Sequence, residues 1–90
     1  MTADHRSWTL EVLSDEKPGP KARILESQTV ADFKITPEYV RDCFKERFEN
    51  PDYPEPRRRL KPGAILIRDE NGEERMRYTQ TDYFRDNPTA

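Results

Sequence analysis

The chain has 90 residues, of which 38% are charged and 32% hydrophobic, with 16 basic and 18 acidic side chains. That length argues for a single domain with a small core, and the apolar share lies well below the roughly 45–50% (glycine included) of ordinary globular domains. A net charge of −2 excludes a general nucleic-acid coat, a single cysteine excludes an internal disulfide, and no apolar run approaches the roughly 18–20 residues of a membrane span.

The order of elements follows from periodicity. Residues 1–7 are polar and are expected to be disordered. Trp8-Thr9-Leu10-Glu11-Val12-Leu13 alternates with the period of a half-buried strand, placing Trp8, Leu10 and Val12 on one face. Residues 14–20 hold two prolines and a glycine and read as a loop. Residues 21–27, with Ala22, Ile24 and Leu25, read as a second strand that completes a hairpin. Residues 30–35 alternate again and read as a third strand or a lead-in to a helix.

The helix is expected over about 36–50. Thr36 is suited to the N-cap and Pro37 to the first helical position. Ile35 and Val40 match a hydrophobic staple. Val40, Cys43, Phe44 and Phe48 then recur at helical spacing, and Pro51 ends the run. Residues 50–62 carry four prolines and read as an extended connection. A second hairpin follows, in which Ala64-Ile65-Leu66-Ile67 resembles an interior strand and Asn71-Gly72 a turn. Charge favours a three-residue loop, Glu70-Asn71-Gly72, which pairs Arg68 with Glu74 and Leu66 with Met76. That register puts Arg75 and Arg77 on the face of Ile67 and Ile65, with Met76 and Tyr78 on the other. Residues 81–90 form a tail, flexible or docked through Tyr83 and Phe84.

The expected fold is therefore α+β, with two β-hairpins forming a four- to five-stranded antiparallel sheet and one amphipathic helix packed on it. The domain is expected to span residues 8–80.

Catalytic chemistry is hard to assemble from this composition. Nucleophilic catalysis needs a Ser or Cys beside a base, but the only histidine, His5, lies near the start, and Cys43 sits in the apolar stripe of the helix. One Cys and one His do not make a zinc site. Asp15-Glu16 and Asp69-Glu70 lack calcium-loop spacing and read as solvated turns. The glycines, Gly19, Gly63 and Gly72, form no phosphate loop. The expectation is a non-enzymatic chain without cofactor or metal.

Charge is uneven along the chain. Residues 37–56 carry six acids and three bases, whereas Arg57, Arg58, Arg59 and Lys61 concentrate four positive charges within five positions. Arginine forks suit carboxylates and phosphates. The candidate partner-binding residues are Tyr53, Arg57, Arg58, Arg59, Lys61, Arg75 and Arg77, together with an open sheet edge.

The segment Ile35-Thr36-Pro37-Glu38-Tyr39-Val40-Arg41-Asp42-Cys43-Phe44-Lys45 resembles the turn and recognition helix of AraC-type helix-turn-helix regulators. The resemblance covers about a fifth of the chain and implies Glu38, Arg41 and Asp42 as exposed helix positions. The turn is one residue short and lacks the usual glycine, and the upstream segment reads as strands.

These features lead to a protein-protein interaction module: a small accessory subunit, adaptor or inhibitor in a bacterial or phage assembly. The alternative is a small nucleic-acid-binding or regulatory protein that uses the 57–61 patch, with the 64–78 hairpin as a wing. A protein partner, a nucleic acid or a second copy of the chain are the candidate partners, with none in a membrane. No apolar leader precedes the first strand, so the expected compartment is the cytoplasm.

Overall fold

The computed structural model describes residues 6–53 and 61–88. The expectations for residues 1–5, the proline-arginine stretch 54–60 and residues 89–90 lie outside the described residues. The fold is α+β. A four-stranded antiparallel sheet is built from β1 (Ser7–Leu13), β2 (Ile24–Ala31), β3 (Ala64–Arg68) and β4 (Glu74–Thr79), in the spatial order β2-β1-β3-β4. Two helices accompany it, α1 (Pro37–Glu49) and α2 (Gln80–Asp86). Both hairpins are present, and they join through the antiparallel pairing of β1 with β3. Among the described residues no helix is long and apolar enough to cross a membrane.

The core follows from strand alternation. Leu10 and Val12 of β1 lie opposite Ile67 and Ile65 of β3, and all four are completely buried on the helix side. Phe44 of α1, also fully buried, is the largest side chain among them. Its ring lies 5.5 Å from Phe48, 5.4 Å from Tyr78 and 5.9 Å from Tyr83, within the spacing at which aromatic pairs attract beyond simple burial. Helix α1 starts as its sequence requires: the Thr36 hydroxyl accepts from Tyr39 N at 3.0 Å, and Ile35 and Val40 are both buried around the cap.

Among the described residues no helix lies over the outer face of the sheet, yet Leu66 there is wholly buried. It lies opposite Glu11 and Arg77. Glu11 pairs with Arg68 at 3.0 Å and Arg77 with Glu74 at 2.7 Å. The stems of long charged side chains cover apolar surface while their heads stay in water, so the outer face has a covering made from its own strands.

Three expectations change. Strand β2 runs from Ile24 to Ala31 rather than over 21–27, because β1 offers partners as far as Ser7, which pairs with Ala31. The alternation over 30–35 breaks at a single 3-10 turn, Asp32–Lys34, which buries Ile35 but leaves Phe33 62% exposed. The third change concerns β4. Gly72 is left-handed (φ 83°) and Arg68 pairs with Glu74, as expected. A bulge at Arg75 then brings Met76 opposite Ile67 and Tyr78 opposite Ile65. Met76 and Tyr78 therefore face the core, and Arg77 lies opposite Leu66 on the outer face, the reverse of the charge-based register.

Asp69 supplies the reason for the bulge. Its side chain is not a solvated turn acid but is buried. One carboxylate oxygen accepts from Asn71 N (2.8 Å) and Glu73 N (3.0 Å); the other meets Arg75 Nε at 2.9 Å. Burial alone would raise the Asp69 pKa, but the Glu73 and Asn71 amides, followed by Arg75, outweigh it and hold the carboxyl below its usual range. Turning Arg75 toward Asp69 and within 5.9 Å of the Trp8 ring makes it the extra residue of the strand.

The last strand runs directly into α2, which the tail reading missed. Thr79 and Asp82 form a reciprocal capping box. Tyr83, 5% exposed, docks against Phe44 and Phe48 and donates to Glu49 Oε2 at 2.6 Å. Tyr78 donates to Asp86 Oδ2 at 2.7 Å, and burial, followed by this bond, pushes its pKa up to about 12.

Gly63 locks the start of β3 against the first hairpin. Its N–H donates to Leu13 O at 2.7 Å and its carbonyl accepts from Gln80 N at 2.8 Å. An added Cβ would lie 2.5 Å from the Asp15 carbonyl carbon. Gly63→Ala is therefore expected to lower unfolding free energy by about 1–3 kcal/mol. Gly19→Ala, with nothing within 4 Å of the new methyl, should leave it nearly unchanged. Urea titrations of the two variants check this contrast.

Candidate functional site

Strand β2 lies at one edge of the sheet, bonded only to β1 among the described residues. Asp32 N donates to Arg6 O at 2.8 Å at the end of this ladder. Alternation then turns the backbone groups of Val30, Gln28 and Glu26 toward β1 and those of Ala31, Thr29 and Ser27 away from the sheet. Edges are commonly guarded by lysine, proline, bulges or inward-pointing charge. The sequence of β2, ILESQTVA, contains no basic residue and no proline.

The one charge in β2 is held inward. Glu26 points to the helix side, opposite Val12. Its carboxylate accepts from Arg47 Nε and Nη2 at 2.8 and 2.9 Å, from the Tyr53 hydroxyl at 2.8 Å and from Gln28 Nε2 at 2.9 Å. Arg47 also donates to Cys43 O at 3.0 Å. The Arg47 fork, acting against desolvation and joined by Tyr53, holds the Glu26 pKa below its usual range. Burial and the Glu26 carboxylate push the Tyr53 hydroxyl well up. This cluster ties the edge strand to the C-terminal half of α1 and to the residue where the proline-arginine stretch begins.

The candidate residues are not gathered into one patch. Tyr53 is half-buried and its hydroxyl is committed to Glu26. Lys61, at the far end of the stretch, donates to Phe48 O at 3.2 Å and lies 5.9 Å over the Phe48 ring. Arg75 is held by Asp69, and Arg77 by two bonds to Glu74. Arg57, Arg58 and Arg59 lie outside the described residues. Both flanks of the stretch are thus anchored around the end of α1, whereas Arg77 lies on the outer face of the sheet and Arg75 sits beside Asp69 and Trp8 at the far end of β3. Glu38, Arg41 and Asp42 are exposed on α1, and β2 with a short turn precedes that helix rather than a second helix.

Sequence reasoning missed Glu26, Arg47 and Asp69. Glu26 stands at an inward strand position and Arg47 one turn beyond Cys43, but nothing local shows that the two meet. Two further depressions flank the helices. One, of about 360 Å³, is lined by Arg41, Lys45, Tyr78, Tyr83 and Asp86 among others; a smaller one, of about 280 Å³, is lined by Pro37, Val40, Met76, Arg77 and Tyr78.

The chain matches no family model, no curated protein and no solved structure.

The Glu26 cluster makes a pH-dependent contribution. A carboxyl whose folded pKa lies below its unfolded value adds stability above the unfolded value, 4.5 for glutamate, and loses it as pH falls through the folded pKa. Unfolding free energy is therefore expected to fall as pH drops from about 5 to about 3, less steeply in Glu26→Gln than in the parent chain. Tyr53→Phe, which removes one bond to a charged acceptor, should cost about 1.5 kcal/mol at neutral pH. Denaturant titrations across this pH range measure both effects.

Proposed function

We propose that the chain is a non-enzymatic interaction module, a small accessory subunit, adaptor or inhibitor, that binds a macromolecular partner through its proline-arginine stretch and an open sheet edge. The observation that carries this reading is the conjunction at β2. An edge strand without proline or basic residue holds Tyr53, the residue next to the stretch, through Glu26. An extended segment adding to β2 would gain main-chain hydrogen bonds at Ser27, Thr29 and Ala31. Arg57, Arg58 and Arg59 supply forks for carboxylates.

A protein partner is favoured over a nucleic acid by the fate of the other basic residues. Arg75 and Arg77 each hold a carboxylate of their own chain, and Lys61 holds the end of α1. Only part of the basic set is left for phosphate. The 64–78 hairpin is also part of the sheet, with β3 bonded on both sides, and is not a projecting wing.

Affinity capture from the native host, read by mass spectrometry, tests the reading. The parent chain is expected to retain a defined protein. The triple variant Arg57→Ala, Arg58→Ala, Arg59→Ala should lose it at least tenfold while keeping the parental circular-dichroism spectrum. Thr29→Pro, a change that edge strands tolerate where the N–H faces solvent, should lose it as well. Retention by both variants would refute the reading. A salt-sensitive gel shift with oligonucleotides would move it to the nucleic-acid class.

A further inference from the structure

We infer that the outer edge of β2 pairs with the same edge of a second copy, antiparallel and centred on Ser27, to give a continuous eight-stranded sheet. The inference rests on the reading of β2 as an interaction edge and names its occupant.

The outward backbone groups are those of Ser27, Thr29 and Ala31. Around the middle of the strand, a twofold axis between two such antiparallel edges can centre on Ser27, Gln28 or Thr29. Centring on Thr29 would set Glu26 opposite Asp32, a like-charge pair that destabilises a ladder. Centring on Gln28 would set the Glu26 carboxylate opposite Val30. Centring on Ser27 sets Glu26 of each copy opposite Gln28 of the other, so a carboxylate meets an amide twice across the axis. Gln28 already turns its amide toward a Glu26 carboxylate within its own chain, at 2.9 Å. On the outer face this register brings two Ser27 side chains together, and serine is small enough for the strands to close. The edge has no proline or basic residue to oppose the approach.

In this register the two Ser27 residues form a hydrogen-bonded pair, with Cα atoms about 5.5 Å apart. That lies within disulfide reach, about 4.4–6.8 Å. The two Thr29 residues would stand four strand positions apart, about 13 Å. The test places single cysteines in a Cys43→Ala background and oxidises them in solution. Ser27→Cys is expected to give a covalent dimer in high yield, and Thr29→Cys to remain monomeric. The unmodified chain should sediment at twice its 10.7 kDa at high concentration. Thr29→Pro should sediment as a monomer with an unchanged circular-dichroism spectrum.

A parent chain that stays monomeric and a Ser27→Cys variant that does not cross-link would overturn the inference. So would preferential cross-linking through Thr29→Cys, which belongs to another register. These outcomes separate from the fate of the proposed function. A monomer whose partner capture is lost in Thr29→Pro has an edge that takes a foreign strand. A dimer whose capture survives both the triple arginine change and Thr29→Pro keeps the present inference and loses the proposed function.

Discussion

One constraint shapes the molecule: a single thirteen-residue helix has to cover one face of a four-stranded sheet. Phe44 sits at the centre of that contact, and α1 lies mainly over β4 and β3. The consequence is asymmetric. Under the helix the sheet contributes Leu10, Val12, Ile65 and Ile67, all fully buried. Toward β2 the inward positions become Gln28 and Glu26, and a carboxylate facing a helix needs a partner. Arg47 and Tyr53 meet that need. The incomplete reach of one helix thus explains why the edge strand, beyond its buried Val30, is tied down by polar contacts.

The other side of the sheet is stabilised differently. The outer face keeps Leu66 dry under charged side chains of neighbouring strands, and the helix side gains a second aromatic layer when α2 folds Tyr83 onto Phe44 and Phe48. Tyr78 and Tyr83 each keep the ring in the core and the hydroxyl on an acid, Asp86 or Glu49. This division of apolar body and polar tip lets a chain with few hydrophobic residues bury two tyrosine rings with both hydroxyls bonded.

Much of the frame was legible locally. The cap at Thr36, the staple of Ile35 and Val40, the strand alternation in β1 and the left-handed Gly72 each depend on residues a few positions apart. The capping box of Thr79 and Asp82 was equally legible by its spacing, although the polar composition around it masked the short helix. The candidate site was much less so. Tyr53 stood out for its setting among prolines, but its hydroxyl answers Glu26, 27 residues earlier in the chain. Arg75 and Arg77 looked like part of one basic surface because charge counts carry no direction. A bulge at the first and two acids, Asp69 and Glu74, send them to separate places.

What the sequence by itself determined is the set of elements and their approximate order, because helix caps, strand periods and turn residues act within a few positions of the chain. The tertiary structure alone decided the strand order, the face of β4 turned to the core, and the internal pairing of Arg75 and Arg77. Those outcomes depend on which carboxylate each cation meets in space and on where one added residue enters a strand. A bulge exchanges the two faces of a ladder at small local cost: Arg75 leaves the ladder for Asp69, and Tyr78 is thereby turned to the core beneath α1.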